Sequence, residues 1–261
     1  MKFMSLGFLI TFIALGAFLT TSHAAIDANS IRGMWLFDEN SGNVAIDSSG
    51  NKNDGTIHGA KRVNGKFGKA LEFNGTDNWV EVPHSDSVTF AKGVSFTITV
   101  NFKGTKVGGA LVGKNYEDTT EARPWYLLWN GGANNLVSLY LRSTAGANSR
   151  VDGTTDLGDD EWHFVVGRAD ADAKKVSLWI DGKMEIEGPM DTNDGYGTSD
   201  GVLHIGVHFN RYTGGIIDDV GLFNIALSED EMDTIMNHGL EEAAAVEPIN
   251  KLTITWAHLK R

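Results

Sequence analysis

Residues 94–102 read Val-Ser-Phe-Thr-Ile-Thr-Val-Asn-Phe, an unbroken alternation of apolar and polar side chains. A helix would scatter the apolar residues around its circumference. A strand instead puts Val94, Phe96, Ile98, Val100 and Phe102 on one face, with Ser95, Thr97, Thr99 and Asn101 facing away from the core. Further runs of strand character lie at 33–37, 70–73, 79–82, 110–113, 125–129, 136–142, 162–168, 176–180, 184–187, 202–207 and 216–223. Asp181-Gly182 separates two of these runs and is a two-residue hairpin signal, because a type I′ turn needs positive φ. The chain has 31 glycines and 4 prolines, so Gly makes most of its turns. Many short strands with such turns between them predict an all-β protein, an antiparallel two-sheet β-sandwich.

One helix is expected. Ser228-Glu229-Asp230-Glu231 is a capping box, and its acids sit at the positive end of the helix dipole. Met232, Ile235, Met236 and Leu240 then form an apolar stripe at helical spacing that packs on the sandwich, and Gly239 is the expected stop.

The N-terminal segment has the form of a secretory signal. Lys2 precedes an apolar run from Phe3 to Leu19, followed by Ser22-His23-Ala24-Ala25. The expected organisation is a signal peptide over 1–24, one domain over 25–240, and a linker and short tail over 241–261. Export to the cell surface, periplasm or medium follows, with no membrane insertion after cleavage. The chain has no Cys, so packing rather than disulfides stabilises it. Its net charge of −12 repels nucleic-acid phosphates and anionic membranes but suits a hard cation.

Several motifs fail on context. Gly197-Thr198-Ser199-Asp200-Gly201 has nucleophile-elbow spacing but precedes a strand, not a helix. Asp191-Thr192-Asn193-Asp194-Gly195 is one residue short of an EF-hand loop. His204 and His208 are four apart on a strand-like run with no Glu beside them, which reads as packing. Asn74-Gly75-Thr76 is a glycosylation sequon in a turn. Trp125 and Trp129 share a strand face and read as core.

Five ordered blocks carry a family resemblance. Trp35-Leu36-Phe37-Asp38-Glu39-Asn40-Ser41-Gly42 leads to Asp47-Ser48-Ser49-Gly50-Asn51 and Asp54-Gly55-Thr56. Gly65-Lys66-Phe67-Gly68-Lys69-Ala70-Leu71-Glu72-Phe73-Asn74-Gly75 follows. Glu161-Trp162-His163, Trp179-Ile180-Asp181-Gly182-Lys183, and Gly215-Ile216-Ile217-Asp218-Asp219-Val220 complete the series, which covers about residues 31–240. Together they resemble laminin-G-like jellyroll domains of the concanavalin A-like lectin/glucanase superfamily.

The resemblance implies two packed antiparallel sheets, a recognition function toward a glycan or glycoprotein, and a structural Ca²⁺. Carried onto this chain, the calcium ligands would be Asp38, carbonyls near Asn74 and Gly75, and Asp218, with Asp77 as an addition. Asp218 and Asp219 alternate on a strand, so only one is expected to face that site. Retaining glucanases of this fold carry Glu-x-Asp-x-x-Glu on one strand. The nearest match, Glu185-Ile186-Glu187-Gly188-Pro189-Met190, has the wrong middle acid and lacks the last. Lyase relatives use a Gln-containing motif, and this chain has no Gln. A non-catalytic binding module is therefore expected. A glycan-cleaving enzyme and a structural protein of the cell envelope are the alternatives. The expected ligand residues are Tyr116, Asp118, Asp194, Tyr196, Asn210, Arg211 and Tyr212, aromatic and hydrogen-bonding side chains suited to sugar rings, on loops or on a sheet face.

Overall fold

The computed structural model describes residues 26–245 except 107, 115–124, 131–135, 144–145, 192–194 and 197–199. The expected signal segment and the end of the tail lie outside these residues. So do Tyr116, Asp118, Asp194 and most of the Gly197–Gly201 motif.

In chain order the strands begin with β1 (Ile31–Trp35), β2 (Val44–Ala45), β3 (Gly55–His58), β4 (Lys61–Asn64), β5 (Lys69–Asn74) and β6 (Trp79–Val82). They continue with β7 (Phe96–Lys106), β8 (Gly109–Lys114), β9 (Trp125–Asn130), β10 (Leu136–Arg142), β11 (Asn148–Asp156) and β12 (Trp162–Asp170). The last are β13 (Lys175–Ile180), β14 (Lys183–Pro189), β15 (Leu203–Ile205), β16 (Val207–His208), β17 (Arg211–Tyr212) and β18 (Gly214–Phe223), before helix α1 (Glu229–Ala245). One sheet runs β14-β13-β12-β7-β18-β5-β4, with β1 also on β18; the other runs β11-β10-β9-β8-β15-β6-β3-β2. The protein is an all-β sandwich of two eight-stranded antiparallel sheets. Phe96, Ile98, Val100 and Phe102 of the first sheet meet Val80, Val82, Tyr126, Leu128 and Leu139 of the second in one continuous core. Asp181 and Gly182 both have positive φ and close the β13–β14 hairpin.

The other face of β7 is not solvated. Thr97, Thr99 and Asn101 are all fully buried. The reason is α1, whose Met232, Ile235 and Leu240 pack on Phe164, Val166 and Trp179 on the outer side of the first sheet. Thr97 Oγ1 spends its hydrogen bonds on the chain entering that helix, donating to the Ile225 carbonyl and accepting from the Leu227 amide. The capping box forms: the Ser228 amide donates to Glu231, and the Glu231 amide donates to Ser228 Oγ. Gly239 does not end the helix. It breaks it (φ 83°, ψ 167°), and helical structure resumes to Ala245, so the expected linker begins as helix.

Asp47 shows what one signature residue does. Its Oδ1 accepts from the Met34 and Ser49 amides and its Oδ2 from the Asn53 amide, all at 2.9 Å. Trp35, fully buried, donates its indole N–H to the Asn53 carbonyl. The opening block is thus a hydrogen-bonded clamp around β1, tying irregular backbone to the core.

Candidate functional site on the uncovered sheet

Among the described residues no helix covers the outer face of the second sheet, and side-chain alternation decides what is displayed there. On β6, Val80 and Val82 point into the core, so Trp79 and Glu81 point out. On β15, Leu203 and Ile205 point in and His204 points out. Register then sets Thr56, Glu81 and His204 side by side, with His58 beside Trp79 in the next row. His58 stacks on Trp79 at 4.2 Å between centroids, and His204 lies 3.8 Å from Glu81.

A short hairpin forms the wall of this face. β16 and β17 are joined by Phe209-Asn210, both with positive φ (53° and 56°), as a type I′ turn requires. Phe is a costly residue for that conformation, and it stands 40% exposed at the tip. Tyr212 reaches back to Trp79, with ring centroids 6.1 Å apart. Trp79, Glu81, His204, Phe209, Asn210 and Tyr212 line a cleft of about 460 Å³.

Next to the cleft, Trp129 lies under two guanidiniums, Arg211 at 5.7 Å and Arg150 at 5.9 Å from its ring. Arg150 also stands over Tyr140 and pairs with Asp152. Trp129 is not core, contrary to its expected place: Tyr126 and Leu128 take the inward positions of β9, so parity turns Trp129 outward. His208 is buried between Trp129 and Phe209, and burial with the nearby Arg211 charge pulls its pKa down to about 4. It stays neutral at physiological pH.

Three of the expected ligand residues, Asn210, Arg211 and Tyr212, therefore lie together on this face. Tyr196 does not. It is buried against Phe96, and its hydroxyl donates to the Asp191 carbonyl. The isolated bridge it makes with Phe90 draws its ring into the core. Trp79, Glu81 and His58 are not singled out by sequence, and Trp129 is singled out only as core. Their alternation was legible, but nothing in the residue types tells an uncovered face from a covered one.

The five expected calcium ligands do not converge. Asn74, Gly75 and Asp77 sit in the β5–β6 turn. There Asn74 Oδ1 accepts from the Thr76 and Asp77 amides, and Asp77 Oδ1 accepts from the Asn74 and Asn78 side chains. Asn74 pairs with Gly214, four residues up β18 from Asp218, a separation of about 13 Å at the usual rise. Asp38 and Asp218 instead hold the β4–β5 loop, accepting from the Lys69 and Phe67 amides. Among the described residues no group of three or more His, Asp or Glu is placed to hold a metal. The donor set does not fit one Ca²⁺ site. We expect the melting temperature to move by less than about 1 °C between EDTA and millimolar Ca²⁺; a larger rise in Ca²⁺ would restore a bound ion to the account.

Both Asp218 and Asp219 face the same side, against the alternation expected of them. A bulge between Asp218 and Gly221, with Asp219 at φ 44°, adds the residue that turns it. Asp219 accepts from the Leu240 amide after the helix break. Burial and the neighbouring Asp219 charge push Asp218 up to about 8, and burial pushes Asp219 up to about 6. His163 is pulled down by burial, but its hydrogen bonds to Asp181 and Asp159 outweigh that and hold it above its ordinary value. All three folded-state values lie above the unfolded ones. Each group therefore contributes stability that is full below its unfolded pKa and is lost as pH rises through its folded pKa. Buried His208 and Lys114 act in the opposite sense, below about pH 6.5 and above about pH 8. Between about pH 6.5 and pH 8 the midpoint of thermal unfolding should therefore fall; a rise across that window would contradict these environments.

The acids nearest to a glucanase motif serve the sandwich. Glu185 accepts from the Thr154 and Thr155 amides and the Thr155 hydroxyl, and Glu187 pairs with Lys175 at 2.7 Å.

A laminin-G model described as the concanavalin A-like lectin/glucanases superfamily matches residues 74–233. The chain belongs to this superfamily. Solved structures similar to this laminin-G-like chain include domain 4 of AbnA, a GH43 extracellular arabinanase from Geobacillus stearothermophilus, in complex with arabinotriose. The TM-score is 0.64 at 19% identity, covering 80% of this chain and 98% of that one. The binding domain of Paraclostridial Mosquitocidal Protein 1 gives 0.63 at 15% identity, covering 80% and 52%. The binding domain of Botulinum Neurotoxin DC in complex with SialylT gives 0.62 at 12%, covering 82% and 52%. The laminin-G-like chain thus spans about half the length of the toxin domains and nearly all of the arabinanase domain. At these identities the likeness is one of fold. Comparison with curated protein sequences finds no match.

Proposed function

We propose that this protein is a non-catalytic, exported recognition module that binds a glycan on the uncovered face of its second sheet. The carrying observation is the cleft between Trp79 and the Phe209–Tyr212 hairpin. Aromatic rings supply an apolar platform, while Glu81, His204 and Asn210 supply a few hydrogen-bonding groups, the mixture that sugar recognition needs. The arabinotriose and SialylT complexes of the similar domains support the ligand class. Arg211 over Trp129 gives one end of the face a positive charge in a chain of charge −12, while the neighbouring Arg150 is paired with Asp152. That end favours sugar units bearing a carboxylate or sulfate. A glycan array probed with the purified protein tests the reading. Binding to a defined glycan set, weakened by salt where the glycans are acidic, is the expected result. An array without signal at high micromolar protein would remove the proposal.

A further inference from the structure

Lys66, Asn101 and Asp218 meet on the helix-covered side of the first sheet. Lys66 lies in the β4–β5 loop, and its Nζ is 3.1 Å from Asn101 Oδ1. Asn101 is fully buried in β7, and its Nδ2 has no hydrogen-bond partner among the described residues. Leaving a buried amide N–H₂ unpaired forfeits its hydration with nothing in return, so its persistence calls for a reason. Asp218 is paired with Asn101 across β7 and β18, so the two side chains leave the sheet on the same face. Its Oδ2 accepts from the Phe67 amide and fixes the loop that delivers Lys66. Gly65 fits there only because a Cβ would stand 2.5 Å from that same oxygen.

We propose that Lys66 and Asn101 join as an intramolecular amide, an autocatalytic cross-link between the β4–β5 loop and β7. The neutral Lys66 amine attacks Asn101 Cγ, and the new Cγ–Nζ bond forms as the carbonyl π pair moves onto Oδ1. The tetrahedral carbon then collapses, the Cγ–Nδ2 bond breaks, and Nδ2 leaves as ammonia carrying one proton from Nζ. Asp218, in register beside the amide, relays that proton: it gives one to the departing nitrogen and regains one from Nζ. No oxidant, metal or cofactor enters the balance. Burial of Lys66 disfavours its ammonium form and so favours the nucleophile. The leaving group is the nitrogen that the fold leaves unbonded, so the reaction removes an unsatisfied buried donor. The link would close a loop of 35 residues in a chain that has no Cys to close one otherwise.

Mass spectrometry on the full chain decides the matter. The expected product is lighter than the processed sequence by one ammonia, and protease digestion should release a branched peptide joining Lys66 to Asn101. Ammonia loss alone also arises from succinimide at an Asn-Gly pair such as Asn74-Gly75, so the branched peptide is the criterion. Lys66→Arg and Asn101→Ala proteins should lack it. Asp218→Ala, which keeps both reacting groups, should yield linear peptides or a slowly growing branched fraction. Loss of the link should lower the melting temperature by roughly 10 °C if it acts as other loop closures of this length do. Wild-type protein that yields Lys66 and Asn101 only in separate linear peptides overturns the proposal, whatever the variants do.

Discussion

Trp79→Ala should weaken binding of an array-selected glycan by roughly thirtyfold, the scale of about 2 kcal/mol for a central aromatic anchor. The ring holds the cleft together from three sides: His58 stacks on it, Tyr212 tilts toward it, and Glu81 follows it on the same face of β6. Removing it takes away the platform and frees Tyr212 to move, so the loss should appear mainly in the dissociation rate. Tyr212→Ala should give a smaller loss in the same direction. Lys183→Ala, on the edge strand β14 of the opposite sheet, should leave affinity unchanged. Titration calorimetry of the three variants checks this. Equal affinity of wild type and Trp79→Ala would move the site elsewhere.

The second large effect concerns folding. Asp47→Ala should destabilise the protein by about 3–5 kcal/mol, because three amides lose a charged acceptor at once and a buried cavity replaces it. Asp47→Asn keeps one acceptor oxygen and should cost roughly half as much. Urea unfolding measures both, with the change appearing in the midpoint rather than the slope. A cost below about 1 kcal/mol for the Ala variant would mean that water readily replaces the clamp.

The contrast between these two residues shows what could be read before the fold was known. Asp47 stands in a block that marks the family, and its work is local hydrogen bonding, which residue type and spacing carry. The strands were legible for the same reason: alternation from 94 to 102 is a property of neighbours in sequence. The burial of Thr97, Thr99 and Asn101 was not legible, because it depends on a helix more than a hundred residues away settling on that face. The bulge at Asp219 escaped for another reason. Alternation assumes an unbroken pleat, and an inserted residue breaks it without any mark in composition.

The site divides along the same line. Asn210, Arg211 and Tyr212 were legible as aromatic and polar residues on a turn. Trp79, Glu81 and His204 come from strands far apart in the chain, and only sheet register brings them beside that turn. Tyr196 had the same local appearance as Tyr212, yet its bridge to Phe90 takes it inside. The calcium ligands fail on distance: residues of one signature block and one strand end on two separate stretches of β18's neighbourhood.

The most direct test of the central claim follows tryptophan indole N–H resonances while the array-selected glycan is added. Trp79 and Trp129, on the uncovered face, should shift and saturate together with binding. Trp35, buried in the sandwich, and Trp179, beneath the helix, should remain in place. Saturable shifts confined to Trp35, Trp179 or Trp162, with Trp79 and Trp129 unmoved, would contradict a glycan site on that sheet.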